Sequence, residues 1–243
     1  YREFLPTWAA LMQPNSTDRL ILKAQQNGLQ IVDMRKELIR QKQNHRYLYN
    51  KTDSHWTALG AYFGYRDLMT SLSSVVEGIT FVGLGELKTK MVKKEACCMA
   101  NMLKIKPQLI RDYDFAYQIN FEGKRDTICM SKWTNLKDKK PPCKTTQSRT
   151  IPTPQGLITE VSNNLAKNKL SVMLVKDSFG LANGALINNA FTKSWHMHYS
   201  TVPNEKKFRE VINTLQPEVV IYQIVERSIF RWPFFQFSHG LRN

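Results

Sequence analysis

The last third of the chain alternates short apolar runs with helical patterns, and this alternation constrains the fold more than any other feature. Residues 170–175, 195–199 and 219–225 have the length and composition of strands. Two predicted helices, over 179–190 and 205–215, lie between these strands, because apolar residues recur there at helical spacing. A β-α-β-α-β order predicts an α/β fold with a mainly parallel sheet flanked by helices.

The first third is also predicted to be α/β. Ser16 or Thr17 is suited to cap a helix that ends at an Asn-Gly pair. A short strand over 29–33 and a charged helix over 34–42 follow in the prediction. From His55 onward, apolar and aromatic residues recur at helical spacing, which predicts a longer helix.

The middle of the chain, around residues 74–153, has weaker periodicity and more lysine. It contains a short helical pattern over 96–103 and a strand pattern over 117–121, while prolines at 141–142 and 152–154 indicate loops. Its apolar content is too low for an independent core. We therefore predict one domain spanning residues 1–243, with an insertion at 74–153.

Composition limits the classes of partner. The chain has 243 residues, 42% of them hydrophobic, which is enough for a core and argues against global disorder. The formal charge of +15 favours an acidic partner, with a solvated basic surface as the alternative. Nucleic acid is not expected, because no zinc-finger spacing or ribonucleoprotein motif is present. No apolar run reaches the roughly 20 residues of a membrane helix, and Tyr1 in place of methionine indicates a mature or trimmed form.

The four cysteines do not have the spacing of a metal or redox motif. Cys97 and Cys98 are adjacent, whereas Cys129 and Cys143 flank a polar loop rich in proline and lysine. Four cysteines permit three pairings. A disulfide between Cys129 and Cys143 is the preferred prediction, and four free thiols are the alternative.

Ser178 lies where a predicted buried strand ends and a helix begins. A serine at that point is presented at the carboxyl edge of an α/β sheet, where nucleophiles are found. The free N–H groups and positive dipole of the helix start favour a developing oxyanion there. The alternative is that Ser178 or Asp177 serves only as the N-cap of the helix.

Asp53 and His55 are separated by one residue at the start of the predicted long helix. In an extended segment their side chains point to the same side, so the carboxylate can orient the imidazole as a general base. The alternative is that Asp53 or Ser54 caps the helix that begins near His55. Trp56 is expected either to line the site or to pack in the core.

His196 and His198 share one face of a predicted strand, a spacing that is compatible with zinc. No third ligand with suitable spacing accompanies them. We therefore predict structural roles for both histidines, and neither a metal nor a cofactor.

Two blocks resemble a known family. Residues 52–56 (Thr-Asp-Ser-His-Trp) followed by 58–61 (Ala-Leu-Gly-Ala) resemble the Asp-x-His-Trp signature of the alginate O-acetyltransferase AlgJ/AlgX family. Residues 176–179 (Lys-Asp-Ser-Phe) resemble its Gly-Asp-Ser-Phe block, with Lys176 in place of the glycine. Three further stretches agree with the family in the same order: 4–6, 96–103 and 217–228.

The resemblance implies a permuted SGNH-hydrolase-like fold with specific residue roles. Ser178 would be the nucleophile, His55 its base and Asp53 the residue that orients His55. The backbone N–H groups of Ser178 and Phe179 would bind the oxyanion. Arg227 would add positive charge there or, alternatively, pair with an acidic residue such as its neighbour in the sequence.

The resemblance also implies a function and a location. Such proteins are exported to the periplasm or the extracellular face of the cell envelope, and the full-length precursor can carry a membrane anchor. They take an acetyl group from a membrane-bound acyltransferase and place it on a hydroxyl of a polysaccharide, for which the basic charge favours an anionic polymer. The alternatives are a carbohydrate acetylesterase of the same fold and a non-catalytic glycan-binding protein.

Overall fold

The structure, a computed structural model, describes residues 6–8, 14–45, 47–94, 98–105, 114–121, 146–153, 156–201 and 204–229. The helices are α1 (Ser16–Gln26), α2 (Arg35–Lys42), α3 (Ala58–Ser73), α4 (Cys98–Met102), α5 (Leu181–Ala190), α6 (Glu205–Leu215) and α7 (Glu226–Ile229). The strands are β1 (Leu87–Lys94), β2 (Asp114–Phe121), β3 (Thr146–Thr153), β4 (Gly156–Asn163), β5 (Asn168–Lys176), β6 (Phe191–His198) and β7 (Val219–Gln223).

A five-stranded sheet in the order β3-β4-β6-β5-β7 forms the centre of the protein. The strands β6, β5 and β7 are parallel neighbours, connected through α5 and α6. This confirms the predicted α/β fold and its β-α-β-α-β unit. β4 joins the other side of β6 in antiparallel orientation, and β3 pairs with β4 at the edge.

β3 and β4 were not anticipated from the sequence, and the predicted loop at Pro152 is wrong because this proline lies in β3. The two strands pair in antiparallel register along their whole length. An edge strand leaves half of its backbone groups unpaired, so it tolerates a proline that a central strand would exclude. The polar composition of β3 therefore gave no strand signal.

The two faces of β5 belong to two separate hydrophobic clusters. Val172 and Leu174 pack with residues of α3 and α5, whereas Met173 and Val175 pack with apolar residues of α6. Alternate side chains of a strand point to opposite faces. Burial on both faces explains why this strand appears in the sequence as a continuous apolar run.

The short strand predicted over 29–33 is wrong, because the described residues offer it no pairing partner and it runs as unpaired chain into α2. Its last residue, Asp33, accepts hydrogen bonds from the Arg35 backbone N–H (3.2 Å) and from the Arg35 guanidinium (2.7 Å). The same guanidinium contacts Asp18 of α1 at 2.6 Å. The segment thus links two helices instead of joining a sheet.

The predicted cap of α1 is also wrong, because Asn15 caps the helix instead of Ser16 or Thr17. The Asn15 side chain accepts from the Asp18 N–H, and the Asp18 carboxylate accepts from the Asn15 N–H. This reciprocal arrangement is a capping box. The buried Thr17 hydroxyl donates instead to the carboxylate of Glu226, 2.7 Å away.

The long helix predicted from His55 begins later, at Ala58, and its N-cap is Thr57. The preceding segment folds back on itself, with an isolated antiparallel bridge between Tyr49 and Trp56. Gly60 lies against this turn so closely that a Cβ there would be 2.2 Å from the Leu48 carbonyl oxygen. The turn and the start of α3 are therefore fixed to each other, which holds residues 53–56 in place.

The middle segment forms an antiparallel ribbon of β1 and β2, and β2 contacts α3. The predicted strand over 117–121 lies within β2, and the predicted helix over 96–103 is seen as α4. Pro141, Pro142, Cys97, Cys129 and Cys143 lie outside the described residues. Among the helices of the described part, none combines the length and apolar character needed to cross a bilayer.

The close approach at Gly60 predicts a cost for any side chain there. We expect Gly60→Ala to lower the free energy of unfolding by about 1–3 kcal/mol, because the added methyl group must displace the Leu48 carbonyl. Urea denaturation measures the change. Gly85→Ala is the matched control, since a Cβ at Gly85 meets no atom within 4 Å. Equal stability of the two variants would contradict the packing described here.

Candidate active site

The structure brings Asp53, His55 and Ser178 into one hydrogen-bonded chain. His55 Nδ1 lies 2.7 Å from Asp53 Oδ1, and His55 Nε2 lies 2.8 Å from Ser178 Oγ. The backbone N–H of His55 also donates to Asp53 Oδ1, at 3.2 Å. One carboxylate oxygen thus fixes both the backbone and the ring of His55, and the other ring nitrogen faces the serine. This is the connectivity of a Ser-His-Asp triad.

The turn that presents Ser178 is built by Asp177. Ser178–Gly180 form a 3₁₀ turn between β5 and α5, and the buried Asp177 is its N-cap. Asp177 Oδ1 accepts from the Phe179 N–H and Oδ2 accepts from the Val225 N–H, both at 2.8 Å. Asp177 therefore takes the capping role that the sequence left open between it and Ser178. The Ser178 hydroxyl is directed to His55.

The alternative capping role for Asp53 or Ser54 is wrong, because Thr57 caps α3. The Thr57 hydroxyl accepts from the Gly60 N–H at 3.3 Å. The Asp53 carboxylate is consequently not used at the helix start, and its Oδ1 is directed to His55.

Trp56 connects the segment that carries His55 to the turn that carries Ser178. Its indole N–H donates to the backbone carbonyl of Phe179 at 2.9 Å in a buried position. The Trp56 and Phe179 rings also contact each other, with centroids 5.7 Å apart. Both roles considered for Trp56 are therefore present together, since it packs in the core and also lies behind the serine turn.

Phe179 contributes its ring to the site, while its N–H is already engaged. The N–H donates to Asp177, so it is not free for an oxyanion in this conformation, in contrast to the expectation from the sequence. The ring contacts the His55 imidazole at a centroid distance of 4.8 Å. Among the described residues, no hydrogen-bond partner occupies the Ser178 N–H, which leaves this group for an oxyanion.

Arg227 lies in α7, directly after the loop that Asp177 holds. Its guanidinium carbon is 5.1 Å from the centroid of the Phe179 ring, within the range of a cation–π contact. Glu226, the acidic neighbour considered as its partner, accepts a hydrogen bond from Thr17. Arg227 thus supplies positive charge beside the ring that contacts His55.

The charges around Asp53 favour its ionised form. Burial opposes ionisation, but the hydrogen bonds from His55, together with the charges of His55 and Lys94, outweigh it and lower the pKa of Asp53. The Lys94 ammonium lies 3.8 Å from Asp53 Oδ2. Sequence reasoning missed Lys94, because this contact joins two segments that have no pattern in common.

A buried lysine lies under the serine turn. Lys176 is in β5, and its stem packs so tightly on Gly180 that a Cβ at Gly180 would lie 2.5 Å from Lys176 Cβ. Burial lowers the pKa of Lys176 to about 8, against the opposing charge of Asp177. Gly180 is thus required because the Lys176 side chain occupies the space that a Cβ would need.

His196 and His198 have different environments and do not share a ligand. His196 is buried, with Nε2 2.6 Å from Asn188 Oδ1, and burial followed by the charge of Lys176 lowers its pKa to about 3. His198 is exposed, and its Nδ1 lies 2.6 Å from the Ser200 hydroxyl. Within the described ranges, no group of three His, Cys, Asp or Glu side chains has the arrangement of a metal site.

The buried indole bond predicts a loss of stability when it is removed. We expect Trp56→Phe to lower the free energy of unfolding by about 1–3 kcal/mol, because the Phe179 carbonyl loses its buried donor. Chemical denaturation measures this change, and Trp8→Phe, at an exposed position, is the control. An unchanged stability for Trp56→Phe would show that the carbonyl finds another donor.

The buried Lys176 predicts a stability that depends on pH. Its pKa is lower in the folded state than in the unfolded chain, so the unfolded state binds the proton more tightly and stability rises between about pH 8 and 10.5. We therefore expect Lys176→Met to be more stable than the wild type at pH 7, by on the order of 2–3 kcal/mol. The difference should shrink above pH 8. Lys206→Met, at an exposed position on α6, should show no such pH dependence.

The first part of the chain is similar to a known protein family. Residues 1–112 match the model of the ALGX family, described as an SGNH hydrolase-like domain of the acetyltransferase AlgX. A comparison with curated proteins gave no match.

Solved structures resemble the chain at low sequence identity. A DHHW family protein from Eubacterium siraeum has 15% identity and a TM-score of 0.60, over 95% of this chain and 78% of that protein. The O-acetyltransferase domain of Pseudomonas putida AlgJ has 12% identity and a TM-score of 0.55, over 94% and 71%. Bacillus cereus PatB1 has 13% identity and a TM-score of 0.55, over 79% and 68%.

These likenesses establish the fold, and together with the family match they confirm the resemblance that the two sequence blocks suggested. The chain has an SGNH hydrolase-like α/β fold and is similar to O-acetyltransferases, in sequence to AlgX over its first 112 residues and in fold to the acetyltransferase domain of AlgJ.

Proposed function

We propose that this protein is an O-acetyltransferase that carries an acetyl group on Ser178 and transfers it to a hydroxyl of an exported polysaccharide. The observation that supports this most strongly is the position of His55 between Asp53 and Ser178, at 2.7 Å and 2.8 Å. A serine hydroxyl is a weak nucleophile until a neighbouring base accepts its proton. The chain of three residues supplies that base and the carboxylate that orients it.

In the first step, Ser178 Oγ attacks the acetyl carbonyl of the donor while His55 Nε2 accepts the hydroxyl proton. The resulting imidazolium is stabilised by the ionised Asp53. When the tetrahedral intermediate collapses, the bond to the donor breaks, the leaving group takes the proton from His55, and the acetyl ester remains on Ser178.

In the second step, a sugar hydroxyl replaces the donor. His55 removes its proton as the oxygen attacks the acetyl carbonyl, and the proton then passes to Ser178 Oγ as the ester bond breaks. The free serine is restored, and the acetyl group is on the sugar. Both steps use the same nitrogen, His55 Nε2, because donor and acceptor approach the same carbonyl carbon.

The oxyanion of both intermediates requires hydrogen-bond donors or positive charge. We assign this role to the Ser178 N–H and to Arg227, because the Phe179 N–H is held by Asp177. Arg227 lies over the Phe179 ring, which itself contacts His55. Its positive charge therefore lies beside the ring that contacts the imidazole.

The exposure of the site favours a polymeric acceptor. Ser178 is exposed although Asp177 and Phe179 on either side of it are buried, and His55 is partly exposed. A nucleophile at the surface can be reached by a hydroxyl in the middle of a long chain, whereas a deep pocket would admit only a chain end or a small molecule.

The charge of the protein favours an anionic acceptor. The net charge is +15, and β1 exposes Lys88, Lys90 and Lys93 along the strand whose last residue contacts Asp53. From the likeness to AlgX and to the acetyltransferase domain of AlgJ, we further propose an exported protein that acts at the periplasmic or outer face of the cell envelope and receives acetyl groups from a membrane-bound acyltransferase.

A carbohydrate acetylesterase is the second candidate, and the same exposure of Ser178 and His55 favours it, because water reaches an open site as readily as a sugar hydroxyl does. The complete hydrogen-bonded chain is an argument against the third possibility, a glycan-binding protein without catalysis.

Intact-protein mass spectrometry tests the proposal. After incubation with p-nitrophenyl acetate, the wild type should carry one acetyl group on Ser178, and adding an anionic oligosaccharide should transfer it to the sugar. His55→Ala should slow acetylation by about 10²–10⁴-fold, because the general base is lost. Ser54→Ala, an exposed serine in the neighbouring segment, is the control and should behave as the wild type.

The outcomes separate the candidates. Loss of the acetyl group to water at the same rate with and without sugar would favour the esterase. Acetylation that persists in Ser178→Ala would exclude the proposed nucleophile. Transfer that is equally fast to neutral and anionic sugars, and insensitive to salt, would contradict the anionic acceptor, since exposed charges are screened within about 10 Å at 0.1 M salt.

A further inference from the structure

We propose that Lys94 is a positioning residue of the Asp53–His55–Ser178 chain, which it reaches from the β1–β2 ribbon, and that its ammonium group keeps His55 in the base form at lower pH. This inference rests on the proposed function, since it concerns the same three residues. Lys94 lies outside both sequence blocks, residues 52–56 and 176–179, so the β1–β2 ribbon would then take part in the chemistry.

The geometry divides the Asp53 carboxylate between two partners. Oδ1 accepts from the His55 ring and backbone, whereas Oδ2 faces Lys94 Nζ at 3.8 Å. The side chain of Asp53 is 12% exposed and that of Lys94 is 37% exposed. The carboxylate is thus mostly shielded from water, and the lysine faces its second oxygen.

Lys94 is held at this position by its surroundings. It is the last residue of β1, and the chain returns to the same place shortly afterwards, where the Met99 N–H at the start of α4 donates to the Thr52 carbonyl at 3.0 Å. The described segments before and after residues 95–97 therefore both contact the stretch Thr52–Asp53.

Other charged groups near His55 do not duplicate this effect. The Asp177 carboxylate is occupied by two backbone N–H groups, and the Arg227 guanidinium contacts the Phe179 ring. Lys176 is directed under the turn towards Gly184 and His196. Within the described part of the chain, Lys94 is thus the cation that contacts the carboxylate orienting the base.

The sign of the effect follows from the charges. The ammonium stabilises the Asp53 anion, so Asp53 stays ionised as the pH falls. It also offsets part of the negative field that Asp53 exerts on the imidazole, so an acidic solution protonates His55 less readily. Both effects extend the pH range in which Asp53 is charged and His55 is neutral, the state in which His55 can accept the serine proton.

The pH dependence of Ser178 acetylation by p-nitrophenyl acetate tests this inference. For Lys94→Gln we expect the acid limb of the rate profile to move up by about half a pH unit, the size expected for one charge several ångströms away near a surface. Lys94→Arg should restore the wild-type profile, because it keeps the charge. Lys104→Gln, at an exposed position just after α4, should leave the profile unchanged.

A second readout does not depend on activity. NMR titration of the His55 ring in the wild type and in Lys94→Gln should show the same upward shift even if Ser178 is not acetylated. Failure of the proposed function is seen separately, as the absence of acetyl-Ser178. An exposed ion pair contributes about 0–1 kcal/mol, so Lys94→Gln should remain folded. If it does not, Lys94→Met, which keeps much of the side-chain stem without the charge, takes its place in the same titration.

Two results would overturn the inference. One is a Lys94→Gln variant whose acid limb and His55 titration both match the wild type. The other is an equal shift in Lys104→Gln, which would assign the effect to the net charge of the protein instead of the contact with Asp53.

Discussion

The site depends on one buried hydrogen bond, from the Trp56 indole to the Phe179 carbonyl. Trp56 follows His55 directly, and Phe179 follows Ser178, so this bond fixes the distance between the proposed base and the proposed nucleophile. A hydrogen bond between His55 and Ser178 alone would be weak support, because both groups are partly open to water. The buried indole makes their approach a consequence of core packing.

Two carboxylates near Ser178 have separate tasks. Asp177 is buried and gives both oxygens to backbone N–H groups, which shapes the turn and links it to the loop that leads to Arg227. Asp53 gives one oxygen to His55 and leaves the other facing Lys94. The first carboxylate is structural and the second is available for electrostatic control, although both lie within two residues of a proposed catalytic group.

Two lysines likewise act in different ways because they differ in burial. Lys176 is enclosed beneath the turn, and burial lowers its pKa to about 8, so its charge costs stability at neutral pH. Lys94 is partly exposed, and its ammonium lies 3.8 Å from Asp53 Oδ2. Near Ser178, one lysine charge therefore lowers the stability of the fold, while the other contacts the carboxylate that orients His55. Such a loss of stability is often found at functional sites.

The strands and helices of the last third could be predicted from the sequence, and so could the candidates Asp53, His55 and Ser178, because periodic burial and short motifs are local properties of a chain. Four features could be seen only in the folded chain: β3 and β4 extend the sheet, residues 29–33 remain unpaired among the described residues, the Phe179 N–H is occupied, and Lys94 lies beside Asp53. Each of these depends on contacts between segments distant in the chain. Such contacts are set by packing and by backbone pairing, which leave no pattern in either segment alone.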